Sequence, residues 1–206
     1  MLAAPVSQRA KLRNLFAART IMRAGELRAA GIGPQTIARA VEDGEIDRIS
    51  RGLYQRSEAD IEEHHVLAEA AARVPKGVIA LTSALAFHGL TDQMPRKIWM
   101  AIGPSDWSPV QSYPPLRIVR LTDRYLRHGI EHHAIAGVDV PIYSIPKTLA
   151  DAFRNPKLVD RSVAVEGLRT ALEQSKATPG AIAEGAKAGG VWKTMRPYLE
   201  ALTSNG

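Results

Sequence analysis

At 206 residues, with 45% hydrophobic composition, the chain is long enough to bury a real core, in one large domain or, as expected here, two small ones. It has no cysteine, which excludes disulfides, thiolate metal sites and thiol catalysis. The formal charge of +6 is uneven: residues 1–57 carry 10 basic and 5 acidic side chains and residues 58–206 carry 17 and 16, so the positive field belongs to the N-terminal quarter, as expected if that part alone faces phosphate.

Met1 to Val6 is apolar but far too short for a signal-peptide core, and no apolar run approaches a membrane span. The expectation is a cytoplasmic protein with no membrane partner. Ser7 is placed to cap a helix to about Ala18, with Leu12, Leu15 and Phe16 on its buried face and Arg9, Lys11, Arg13 and Arg19 away from it. Thr20-Ile21-Met22 reads as a short strand, and Arg23 to Ala30 as a second helix that contributes Leu27 to the core.

Gly31-Ile32-Gly33 is a tight-turn signal, and Pro34 follows at the first helical position, where a missing N–H costs nothing. At 100° per residue the third helix buries Ile37 and Val41, flanked by Ala38 and Ala40, and projects Gln35, Thr36 and Arg39 from the opposite side. Gly44 stops it. Ile46–Ile49 and Leu53–Gln55 then have β-type composition around the turn Ser50-Arg51-Gly52, a hairpin studded by Arg48, Arg51 and Arg56. Any one of these arginines is explained by a solvated surface, but the combination reads as a winged helix-turn-helix that binds DNA. Gln35, Thr36, Arg39, Arg48, Arg51 and Arg56, with Arg23 at the start of the second helix, are the candidate contacts.

Beyond Arg56 the sequence changes character, so residues 1–57 are expected to form a DNA-binding domain and residues 58–206 a second, mixed α/β one; the fold class is α+β. Ser57 to Asp60 looks like the capped start of a helix reaching Val74, broken by Pro75-Lys76-Gly77. Val78–Leu81 reads as a buried strand, after which Thr82-Ser83 caps a two-turn helix, Ala84 to His88. Strands are expected at Lys97–Ile102, Arg117–Leu121, Ile130–Ile135 and Val138–Ile142, with a proline-bearing loop over residues 103–115. Helices are expected at Lys147–Phe153, Val159–Gln174, Pro179–Ala188 and Val191–Leu202.

Little in the sequence points to catalysis or a cofactor. His64-His65 and His132-His133 are adjacent pairs that point to different sides of their elements, and no HExxH completes a metal-ligand set. Ser83 lies at a strand-to-helix turn but lacks the flanking glycines of a nucleophile elbow. No GxGxxG or GxxxxGK[ST] supports nucleotide binding, and a non-enzymatic protein without cofactors is the expectation.

Three segments carry a family likeness: Ile46-Asp47-Arg48-Ile49-Ser50-Arg51-Gly52-Leu53-Tyr54, the run Leu81 to Leu90 (LTSALAFHGL), and Tyr143 to Phe153 (YSIPKTLADAF). In their order and spacing the chain resembles the AbiEi-type antitoxins of type IV toxin–antitoxin, or abortive-infection, systems. The resemblance implies a winged helix that binds inverted repeats in its own promoter as an autorepressor. It also implies a C-terminal domain that counteracts a cognate nucleotidyltransferase-like toxin without a stable complex. Carried over, Gln35, Thr36 and Arg39 become base readers, and Arg48 and Arg51 wing contacts. Two features depart from the pattern: Arg23-Ala24-Gly25 stands where a Ser or Thr cap is expected, and Glu42 and Asp43 are unfavourable to DNA unless they lie where the helix leaves the groove. The alternative is a ligand-responsive winged-helix regulator with no toxin partner.

Overall fold

The computed structural model describes residues 7–57, 64–109 and 114–204. The chain divides into two compact units, Met1–Pro75 with His133–Val140, and Lys76–His132 with Pro141–Gly206.

In the first unit α1 (Gln8–Ala18) is followed by β1 (Ile21–Arg23), α2 (Ala24–Ala29), α3 (Pro34–Glu42), β2 (Ile46–Ser50), β3 (Leu53–Arg56) and α4 (His65–Arg73). Ser7 caps α1 as expected, its Oγ accepting the Ala10 N–H at 3.1 Å. The three strands form an antiparallel sheet in the order β1-β3-β2. Leu12 and Phe16 of α1, Leu27 of α2, Ile32 from the turn, Ile37 and Ala40 of α3, and Met22 and Ile46 from the sheet close one core. This is a winged helix-turn-helix: three helices sharing a core with a short hairpin that pairs with β1.

The first unit extends past the boundary expected after residue 57. Alanine-rich α4 packs on β1, and the Arg23 guanidinium donates to the carbonyls of Ala71 and Ala72, closing the C-terminal end of α4. His65, buried on α4, bonds Gln55 of β3 at 3.0 Å and lies 3.5 Å from the Glu69 carboxylate. Residues 133–140 join through Ala136, whose carbonyl accepts the Thr20 N–H at 3.1 Å, and Gly137, whose carbonyl accepts from Arg19 Nε at 2.9 Å. The start expected for α4, over residues 57–60, falls largely outside the described residues.

A five-stranded sheet contains β4 (Val78–Ile79), β5 (Ile98–Ile102), β6 (Leu116–Arg120), β7 (Ile130–Ile135) and β8 (Val138–Tyr143), in the order β6-β5-β4-β8-β7; apart from residues 133–140 its strands belong to the second unit. Strand β4 runs antiparallel to β5 and parallel to β8, and β5 runs parallel to β6. Helices α5 (Leu81–Phe87), α6 (Asp123–Leu126), α7 (Ile145–Arg154), α8 (Arg161–Glu173), α9 (Pro179–Ala188) and α10 (Trp192–Thr203) accompany this sheet. Leu85, Leu90, Leu149, Phe153, Leu168 and Met195 belong to their shared core with Trp99 and Tyr143 from the strands.

Several local expectations are corrected. Helix α5 begins at Leu81, so Thr82 and Ser83 lie inside its first turn rather than capping it. The Ser83 hydroxyl instead accepts the Trp99 N–H at 3.0 Å, tying the helix to β5. Leu81 turns the corner from β4 with φ +48°, a left-handed conformation that its burial in the core holds in place. Helix α6 had no periodic signal, since it is four residues long. Helix α7 starts two residues before the expected Lys147, with Pro146 in its first turn.

Candidate nucleic-acid interface

The first unit presents its polar residues through α3. Glycine precedes the helix, proline opens it, and Ile37 and Ala40, three residues apart, set the buried side, with Val41 half-buried beside them. Gln35, Ala38, Arg39 and Glu42 are exposed. Ala38 therefore belongs to the open stripe and not to the flank of the buried one, because it lies one step from Gln35 and Arg39 around the helix. An open face of one amide, one methyl group and one guanidinium has the chemistry of a base-reading surface.

Helix α1 holds α3 at both ends, a function its own sequence does not advertise. At the N-terminus Gly33 has no side chain to cap α3, and Gln8 does so from a distance: its Oε1 accepts the Gly33 N–H at 3.0 Å and the Thr36 hydroxyl at 2.8 Å. A Cβ at residue 33 would come 3.2 Å from that Gln8 oxygen, so glycine leaves room for the bond. Thr36 is thus half-buried, and its hydroxyl proton is already engaged; toward a partner it can only accept.

At the other end Arg9 bridges Asp43 at 2.5 Å and Glu45 at 3.0 Å, and Arg13 also pairs with Glu45. Hydrogen bonds from Arg13 and Arg9 pull the Glu45 carboxyl down to about 2, and the same contacts raise both guanidinium groups above their ordinary range. Asp43 is the C-terminal cap residue of α3, so its charge lies at the end of the helix and is offset by Arg9. Glu42 remains exposed on α3 itself.

The hairpin β2–β3 is short. Ser50 pairs with Leu53, leaving Arg51 and Gly52 as the turn, and Gly52 takes φ +71°, a value glycine adopts without strain. A bulge at Ile49 interrupts the register between Arg48 and Ser50. The Gly52 carbonyl accepts the Ala24 N–H at 2.8 Å, so the turn is anchored to the start of α2 and the wing does not extend far. Arg48 and Arg51 are exposed. Arg56 is half-buried and lines a cavity of about 530 Å³ with Leu12, Phe16 and Ile46, and its Nε–H donates to no acceptor among the described residues.

The structure therefore leaves Gln35, Arg39, Arg48 and Arg51 on the surface, engages Thr36 with Gln8, and withdraws Arg56 into the side of the domain. Arg23 departs furthest from its expected place: half-buried, with its donors on α4, it has burial lowering its pKa. The missing Ser or Thr cap of α2 is supplied by Glu26, whose carboxylate accepts the Arg23 N–H at 2.7 Å from the first turn. Sequence reasoning placed Arg9 and Arg13 only as solvent-facing residues of the first helix and did not reach Gln8 or Glu45, because helical spacing does not reveal a partner more than 30 residues away. Among the described residues no group of three His, Asp or Glu side chains could hold a metal ion, and no helix is long and apolar enough to cross a membrane.

Residues 11–57 match the family described as transcriptional regulator, AbiEi antitoxin, the family that the sequence resembles. No curated protein matches the chain. Among solved structures the chain is similar to the RV2827C protein from Mycobacterium tuberculosis, at 14% identity and a TM-score of 0.56, over 98% of this chain and 85% of that one. At that identity the likeness concerns the fold.

Proposed function

We propose that this protein is an autorepressor and antitoxin. In this reading α3 enters the major groove of an operator built of inverted repeats, and the rest of the chain counteracts a nucleotidyltransferase-like toxin. The observation that carries the DNA half is the exposed Gln35, Ala38 and Arg39 face of α3 with Arg48 and Arg51 exposed on the adjoining hairpin. Arg39 is suited to a bidentate contact with guanine, Gln35 to adenine, and Ala38 to a thymine methyl. Thr36, whose proton goes to Gln8, is left to accept from an adenine or cytosine amino group. Arg48 and Arg51 serve phosphate or the minor groove, and Arg56 and Arg23 are left out of the interface.

A gel shift on the region upstream of the gene, at two salt concentrations, tests this. With about 4 phosphates neutralised per domain, log K falls against log salt with a slope near −3.6. Affinity unchanged by salt, or equal affinity for operator and random duplex, would overturn operator binding.

The toxin half rests on the family match over residues 11–57. The contribution proposed for the remaining chain is a non-enzymatic one, acting in the cytoplasm on the toxin or its substrate. A ligand-responsive regulator without a toxin partner is the second reading, favoured by a cavity in the second unit; the identity of the neighbouring gene separates the two.

A further inference from the structure

The second unit contains a cavity of about 290 Å³ that DNA binding by α3 does not use. Three stretches of chain meet around it: α6 with the turn after it, the start of α7, and α9. Glycines allow the approach. Gly129, at φ +63°, lies so close to α7 that a Cβ there would be 2.7 Å from Lys147 Cβ and 3.0 Å from Ser144 Oγ. A Cβ at Gly185 of α9 would stand 2.7 Å from Pro146 Cβ.

The charges around this cavity do not cancel. Arg124 and His128 are exposed at its edge, and Asp123, beside Arg124, is 3.7 Å from Arg127. Lys147, in the wall, is directed away from the cavity to the buried Asp151 carboxylate at 2.7 Å, which Arg154 also meets at 3.0 Å. From behind the wall, Arg154 also donates to the carbonyl of Gly189, a lining residue, at 3.1 Å. The acid that lines the cavity, Glu184, is bridged by Lys187 at 2.8 Å. The start of α7 adds the positive end of a ten-residue helix; Ser144 makes no capping bond to it, Pro146 has no N–H and the Ser144 N–H goes to the Gly129 carbonyl at 2.7 Å, so this end offers the helix dipole and the Ser144 hydroxyl rather than a row of N–H donors.

We propose that this cavity binds a small phosphate-bearing molecule. A guanidinium, an imidazole, a hydroxyl and a helix N-terminus converge there, and a phosphate, with several acceptor oxygens and more than one negative charge, uses such a set more fully than a carboxylate does. The volume lies at the lower end of small-molecule sites, which fits a phosphorylated metabolite of mononucleotide size or below and no larger cofactor. Arg124 is the principal contact, Ser144 and the α7 N-terminus position the oxygens, and Glu184 opposes the ligand.

The test uses the full chain, with AMP and inorganic pyrophosphate titrated by calorimetry and a short DNA duplex of random sequence as a third arm. Saturable one-to-one binding of AMP or pyrophosphate is expected, weakened at least tenfold in Arg124→Gln and tightened several-fold in Glu184→Gln. Both are exposed positions whose replacement leaves the core intact. No saturation by either probe in the millimolar range, or equal affinity in Arg124→Gln, overturns the proposal. Dependence on Arg124 seen only with the duplex also overturns it, since the phosphate would then be that of a nucleic-acid backbone. The cavity shares no residue with α3 or the hairpin, so a failed operator shift and a failed titration are separate results.

Discussion

Arg39 stands on the open side of α3 with Gln35 one turn before it, and this pairing decides what each can do. A bidentate contact to guanine contributes about 1–3 kcal/mol of discrimination, so Arg39→Ala should flatten the preference for operator over random DNA more than it lowers nonspecific binding. A competition gel shift reads the ratio, and equal loss on both duplexes would refute base reading by this residue. Glu45 offers a check of the geometry without DNA. Its carboxyl, held at about 2 by Arg13 and Arg9, lies below its value in the unfolded chain. The sign follows: the α1 clamp is fully present above the ordinary carboxylate range and is lost as pH falls toward 2. An NMR titration of Glu45 should place its midpoint near 2, and Arg13→Ala should move it upward, since the Arg13 hydrogen bond that favours the carboxylate is removed.

At the scale of the element, α3 is held by another helix. Its N-terminal cap is Gln8 of α1, bonded to Gly33 and Thr36. Loss of a cap costs about 0.5–2 kcal/mol. Gln8→Ala should therefore lower the unfolding free energy by that amount in a denaturant titration, and it should also shift operator specificity, because Thr36 regains a hydroxyl proton to donate. Unchanged stability with unchanged specificity would show that the Gln8 bonds are incidental. The boundaries and buried faces of α1, α2, α3 and the hairpin were legible because each is short, locally signalled and amphipathic: Ser7, Pro34, Gly44 and Gly52 punctuate them, and Leu12, Phe16, Leu27 and Ile37 mark the inside. The partners of Gln8, Arg23 and Arg56 were not legible. Each is a polar side chain at an end or edge, where helical spacing says only which way it leaves the backbone and not what the chain brings to meet it.

At the scale of the molecule, a cut after residue 57 would take α4 and residues 133–140 from the partners they have in the first unit, Arg23 and Arg19–Thr20. Division of labour is better tested in the intact chain. On the proposed function, full-length protein carrying Arg39→Ala, Arg48→Ala and Arg51→Ala, all exposed, should lose repression in a reporter assay on the upstream region and still rescue growth against a nucleotidyltransferase-like toxin from the neighbouring gene. Loss of rescue at equal protein level would place DNA binding inside the antitoxin activity and defeat the separation. The uneven charge supports it, with the excess of 10 basic over 5 acidic residues confined to 1–57 and near balance elsewhere. Near balance over a long stretch still hides the local excess beside Arg124, because Asp151, Glu184 and Asp123 each offset charges at other positions.

The amino-acid sequence alone determined the α+β class, the order helix, strand, helix, turn, helix, hairpin, and which side of α3 is greasy; these depend on interactions within a few residues, and the residues involved record them directly. Tertiary structure alone decided that Gln8 and Arg9 brace α3, that Arg23 serves α4, that Ser83 bonds β5, and that Gly129 and Gly185 open a cavity. Contacts of this kind join positions up to 118 apart, as Arg19 and Gly137 are, and a polar side chain takes whichever acceptor the packing of apolar neighbours delivers to it.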